Sequence, residues 1–182
     1  LGLYGYCIQI YCDFSGYSDM AIGIALLLGF KIPMNFNAPL TADSMTDFWR
    51  RWHISLSTWI RDYVYISLGG NQKGTLRMYF NQMVAMTACG LWHGASLNFI
   101  VWGVLHGALV CVHKFWSQTV LKHDRRYHPS GLRRFISVFI TFHVLCFTWL
   151  FFRCKDFDAV WVMVKQMFTK FNPSVLPDVF MG

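Results

Sequence analysis

Charge is scarce in this chain. Asp, Glu, Lys and Arg make up 14% of its 182 residues, against about 25% in a soluble domain. Hydrophobic residues reach 55% and the mean hydropathy is +0.36. That balance excludes an ordinary water-soluble domain and points to lipid as the solvent. From Met78 to His113 there is no charged residue at all, a run of 36. The six cysteines form no CxxC pair and most lie inside apolar runs, which excludes a disulfide framework and leaves free buried thiols. GxSxG, Walker and Rossmann glycine patterns are all missing.

The charge that is present is basic, net +7, and bunched beside apolar runs. A basic chain raises the question of nucleic acid. Flanking charges argue against it; they fit cytoplasmic loops or contact with anionic membrane lipids.

A membrane span needs roughly 20 apolar residues. Leu1 to Phe30 predicts one span, carrying Asp13 and Asp19 and broken near Gly16. Lys31 to Asp43, with Pro33 and Pro39, predicts an irregular interfacial segment. The uncharged run of 36 residues would measure roughly 54 Å as one helix, well beyond the roughly 30 Å hydrocarbon layer. A break is therefore expected at "CGLWHGAS", Cys89–Ser96. If both flanking basic loops lie on one side, the run enters and returns; if it crosses once, one loop departs from the positive-inside tendency. A basic loop at 122–134, a span over Phe135–Phe152 and an amphipathic helix capped by Asp156, with Lys165 and Lys170 on its polar side, complete the chain. The fold class is all-α: a polytopic membrane protein with transmembrane, broken or re-entrant, and interfacial amphipathic helices.

One segment joins aromatic and basic character. "DFWRRWHISLSTWIRDYVYISLGG", Asp47–Gly70, predicts an amphipathic helix, started by Ser44 and Asp47 as a capping box and ended at Gly69-Gly70. Trp49, Trp52, His53, Leu56, Trp59, Ile60, Tyr63 and Val64 share its apolar face; Arg50, Arg51 and Arg61 lie opposite. Such a helix suits the bilayer interface.

An ionisable group in apolar sequence is a functional candidate, because burying its charged form is costly. A neutral imidazole is cheaper to bury and is the form a general base must take. His93, in "LWHGAS", sits at the expected break, and freed backbone groups are tolerated in a membrane only against protein or a water-filled cavity. It either faces that cavity or hydrogen-bonds a neighbouring helix. His53 lies on the buried side of its helix. His106 and His143 are read as helix-to-helix hydrogen-bonding residues. Asp13, Ser15, Tyr17 and Asp19 either line a path for a hydroxyl substrate or hold the first helix to its neighbours; we favour the second while keeping Asp13 and Tyr17 as candidate substrate contacts. No His-x-x-x-His pair or His/carboxylate cluster supports a metal.

"DFSGYSDMAIGIALLLGF", "NFNAPLTADSMTDFWRRWHISLSTWIRDYVYISLGGN" and "LWHGASLNFIVWGVLHG" together resemble the membrane-bound O-acyltransferase superfamily (MBOAT), in its alginate O-acetyltransferase branch. The teichoic-acid D-alanyl transferase branch has a similar "DFWRRWH" helix. The resemblance covers most of Leu1–His113 and implies that residues 1–182 are a single partial catalytic domain, the C-terminal part of a longer protein without its first membrane helices. It implies an all-helical ring around a thinned region of membrane, reached by funnels from both faces. Carried over, the catalytic histidine is His93 and the second polar position His53. His93 would act as general base on an acceptor hydroxyl. His53 would orient the reactants or support the oxyanion, with backbone N–H groups near Gly90 and Gly94 as further donors. Trp92, Arg50, Arg51, Asp13 and Tyr17 are the candidate substrate contacts.

The resemblance implies no bound cofactor, with acetyl-CoA or another acyl thioester as donor substrate. It implies an extracytoplasmic polysaccharide as final acceptor, a periplasmic acetyltransferase as partner, and a multi-pass place in the bacterial inner membrane. The rival readings are a D-alanyl transferase and a non-catalytic transport or scaffold subunit.

Overall fold

The computed structural model describes residues 2–122 and 129–169 and, within them, contains helices and no strand. The elements are α1 (Gly2–Leu27), α2 (Met45–Arg51), α3 (Ile54–Ile60), α4 (Thr75–His93), α5 (Leu97–Phe115), α6 (Gly131–Thr148), α7 (Leu150–Arg153) and α8 (Phe157–Thr169). A π-turn at Arg61–Tyr65 follows α3 and another at Trp116–Val120 follows α5. Two continuous helical stretches, Leu97–Val120 and Gly131–Arg153, are long and apolar enough to cross a membrane. His123, His128 and Lys170 lie outside the described residues.

The uncharged run does break where glycine allows it. α4 ends at His93, Gly94 takes φ +155°, and α5 starts three residues later. α4 then runs back along α5. Tyr79 O accepts from Cys111 Sγ and Gln82 from Lys114 at one end, while Gly90 abuts Phe99 and Gly103 at the other. Each helix has 19 residues, or about 28 Å at 1.5 Å per residue, close to the hydrocarbon thickness. The run therefore folds back on itself as a helical hairpin, and Lys73 and Arg77 lie at the same end of the hairpin as Lys114 and Lys122.

Two expected features differ. α1 is one unbroken helix through Gly16; a lone helical glycine costs only about 1 kcal/mol, less than exposing unpaired backbone groups in an apolar layer. The interfacial helix, by contrast, is interrupted. Its apolar periodicity continues across Trp52-His53, yet His53 adopts left-handed φ 43°, ψ 56° and separates α2 from α3. The start of α2 is as expected: Ser44 Oγ accepts from Asp47 N–H at 3.2 Å. The Asp47 carboxylate reaches back to Asp43 N–H rather than to the cap residue.

The core lies where α2, α5, α6 and α7 meet, around Phe48, Trp52, Trp102, Leu145, Trp149 and Leu150. α1 docks on α6, where Tyr4 Oη meets His143 Nε2 at 2.9 Å. His143 Nδ1–H donates to Phe139 O at 2.8 Å, so Nε2 is the acceptor for Tyr4. The outer side of α6 presents Leu132, Phe135, Phe139 and Ile140, an apolar face suited to lipid. α8 is capped by Asp156, whose Oδ1 accepts from Ala159 N–H at 2.8 Å.

Candidate active site

The break at His53 is held from outside its own helix. Residues of the irregular segment after α1 lie across it: Asn37 N–H donates to Arg51 O, and Ile54 N–H donates to Asn35 O, both at 3.0 Å. Ser57 Oγ–H reaches Trp52 O and His53 O. The Arg51, Trp52 and His53 carbonyls at the interruption thus each have a donor, as a buried helix end requires. A left-handed backbone costs a non-glycine residue roughly 1–2 kcal/mol, and such strain gathers at functional sites.

Asn35 also settles the proton on His53. Its Oδ1 accepts from Ser55 N–H at 3.0 Å and Ser55 Oγ–H at 2.8 Å, which identifies that atom as the oxygen. His53 Nδ1 lies 3.3 Å from the same oxygen and can only donate to it. Nε2 is left with the lone pair. Burial holds the His53 imidazole below the ordinary histidine pKa, so it stays neutral further into acid. Its ring packs edge-on to Phe14 at 4.7 Å and to Trp92 at 5.8 Å.

His93 is placed by the hairpin turn. Its ring sits among Trp92 (4.9 Å), Phe152 (5.0 Å), Trp102 (5.4 Å) and Phe99 (6.1 Å). Among the described residues its nitrogens have no hydrogen-bond partner, so ring packing alone orients it. A Cβ on Gly94 would come within 2.9 Å of the Phe99 ring, so the turn and the Phe99 side of the cage are built together. The Gly94 N–H donates to Leu91 O, and Gly90 lies within α4 against the backbone of Phe99 and Gly103. The expected oxyanion donors at these two glycines are therefore already committed.

His53 and His93 open into one cavity of about 570 Å³. Trp92, Trp52, Trp102, Trp149 and Phe152 wall it, and α1 closes the other side with Gln9, Asp13 and Tyr17. Five of the residues singled out in the sequence, His53, His93, Trp92, Asp13 and Tyr17, thus share one hollow. Arg50 and Arg51 do not reach it. Arg51 Nε is paired to Asp47 Oδ2 at 2.8 Å. Arg50 lines two other cavities, of about 490 and 610 Å³, which also share Thr46, Tyr65 and Lys114. Arg61 borders the smaller of these and chelates Asp62. Trp49, on the wall of that smaller cavity, packs 5.8 Å from Trp102 on the wall of the histidine cavity. The sequence reading missed Asn35, Trp102 and Phe152; only Asn35 left a trace, a polar residue between two prolines.

A helical membrane chain that gathers two neutral-capable imidazoles in an aromatic hollow, one at a strained interruption and one at a hairpin turn, is a member of a defined class. The chain belongs to the membrane-bound O-acyltransferase family, whose model matches residues 1–156. A probable alginate O-acetylase of Azotobacter vinelandii is 46% identical over 169 residues, covering 93% of this chain and 32% of the relative. The peptidoglycan O-acetyltransferase of Helicobacter pylori is 43% identical over 162 residues, covering 89% of this chain and 30% of the relative. The teichoic acid D-alanyltransferase of Bacillus subtilis is 33% identical over 168 residues, covering 86% of this chain and 41% of the relative. The chain spans about a third of the length of the first two.

Proposed function

We propose that this chain carries the reaction centre of an O-acetyltransferase that moves an acetyl group from a cytoplasmic thioester to a hydroxyl of an extracytoplasmic polysaccharide. The observation that carries the reading is the shared cavity of His53 and His93, with the Trp92 ring between them. His93 takes the proton of the attacking hydroxyl, the hydroxyl oxygen attacks the thioester carbonyl, and the proton passes on to the departing thiolate sulfur. General-base assistance of this kind is worth about 10² to 10⁴ in rate. His53, with its lone pair on Nε2, accepts a hydrogen bond from an acceptor hydroxyl. In that tautomer it orients the acceptor and does not donate to an oxyanion.

The donor, acetyl-CoA or a carrier-bound acetyl, is expected at the opposite end. There Arg50 and Lys114 border both of the other cavities, and a phosphate finds fixed cations. The basic ends of the hairpin support a cytoplasmic location for that end, by the positive-inside tendency. The protein is then a multi-pass protein of the bacterial inner membrane, working with a periplasmic acetyltransferase. Acetyl is preferred to D-alanyl because the O-acetylating relatives are more similar, at 46% and 43% against 33%.

The test is transfer of labelled acetyl from a thioester in membrane vesicles holding the full-length protein. His93→Ala should lower the rate by about 10² to 10⁴ with normal membrane levels. Undiminished transfer would leave the scaffold reading in its place.

A further inference from the structure

We propose that His106 is a positioning residue for His93, acting through the Trp102 indole. The inference rests on the acyl-transfer reading only for its consequence, not for its geometry. His106 is fully buried in α5 and both of its nitrogens are used. Trp49 Nε1–H donates to Nδ1 at 3.2 Å, which puts the ring proton on Nε2. Nε2–H then donates to Thr148 Oγ1 at 2.9 Å, and the Thr148 hydroxyl donates to Leu145 O at 2.9 Å. The imidazole is thereby tied to α2 and α6 as well as to its own helix.

Trp102 is the ring packed most closely on it, with centroids 4.4 Å apart. The Trp102 Nε1–H is buried without a partner among the described residues. A buried indole N–H normally finds one; no described protein group supplies it, so what the chain itself contributes to the angle of the indole is the packing of the rings around it. Trp102 in turn meets His93 face to edge, 5.4 Å away at 88°. Among the described residues His93 likewise has ring contacts and no hydrogen-bond partner. The path from His106 to His93 is therefore two ring contacts long, and neither link has a hydrogen bond to absorb a shift. A network fixed at three helices thus bears, through Trp102, on one wall of the ring cage that sets the angle of the reactive imidazole.

The experiment uses the full-length protein in membrane vesicles and three variants: His106→Phe, which keeps bulk but no hydrogen bonds; His106→Gln, which keeps one donor and one acceptor; and Thr148→Val, which leaves the imidazole in place and loosens it. Two readouts are taken. One is the rate of carbethoxylation of His93 by diethyl pyrocarbonate, relative to His53, from peptide mass spectrometry. The other is kcat against the donor KM. In His106→Phe, His93 reactivity should shift several-fold against His53, and kcat should fall about tenfold at constant KM, as expected for a misplaced group. Thr148→Val should move both the same way by less, and His106→Gln should recover most of the loss. Unchanged relative reactivity of His93 in the folded variants overturns the proposal, as does a kcat loss that only tracks the amount of folded protein. If the wild type transfers no acetyl while the reactivity shifts, the positioning role stands and the acyl-transfer reading fails.

Discussion

Gly90 of α4 and Gly103 of α5 meet backbone to backbone, with no room between them for a methyl group. A Cβ on Gly103 would stand 2.5 Å from Met86 O, and one on Gly90 would collide with Phe99 O. Close approach of this kind is how helices associate in lipid, where apolar burial gives little drive between them. Gly103→Ala should destabilise the full-length protein by about 1–3 kcal/mol, the usual cost of overpacking, seen as a lower thermal midpoint in detergent. Gly16→Ala, where no atom lies within 4 Å of the new methyl group, should leave the midpoint unchanged or raise it. Equal effects at the two sites would contradict the hairpin packing.

The cap of α2 gives a second prediction. Ser44 Oγ is the acceptor for Asp47 N–H at the start of the helix that leads to His53. Ser44→Ala should cost about 1 kcal/mol of stability, and Ser44→Asp should restore most of it. A Ser44→Ala protein as stable as the wild type would show that the cap is dispensable.

The His53 site makes a pH prediction with a definite sign. Burial depresses its pKa, so its contribution to stability is complete above the ordinary histidine value of about 6.5. The contribution is lost as the pH falls below that value toward the folded-state pKa, because the unfolded chain takes up the proton first. The acid limb of kcat/KM that reports His53 should therefore lie below about 6.5. Asn35→Asp would place a carboxylate on Nδ1–H and should move the limb to higher pH. A wild-type limb at or above the ordinary value, or one that Asn35→Asp leaves in place, would remove His53 from the reaction.

Hairpin topology is open to labelling. Single cysteines at Lys73 and Lys122, in an otherwise cysteine-free protein, should react with a membrane-impermeant maleimide from the same side of sealed vesicles. Labelling from opposite sides would mean that the chain crosses once between them.

Much of this arrangement was legible in the residues, and the exceptions share a cause. The break at Gly94 showed because 36 uncharged residues cannot fit one crossing and a glycine-histidine-glycine neighbourhood offers the exit. The pairing of His53 with His93 followed from family resemblance, not from spacing. The interruption at His53 was hidden because the apolar rhythm runs straight through it. What breaks the helix is a contact from Asn35 and Asn37, more than a dozen residues upstream, and periodicity records only neighbours one or two turns away. Gly16 misled in the opposite direction: a glycine permits a break, but only tertiary contacts impose one. Arg50 and Arg51 are adjacent in sequence and read alike, yet one borders two cavities while the other is bound to Asp47. Their neighbours separate them, not their chemistry.

The oxygen of Asn35 gathers three donors, one of them the imidazole eighteen positions later. A stretch without regular secondary structure thus decides which nitrogen of the histidine carries hydrogen. Correct helices alone would not make a competent centre; a molecule with every helix in place but that strap mis-seated would be well packed, membrane-inserted and inert.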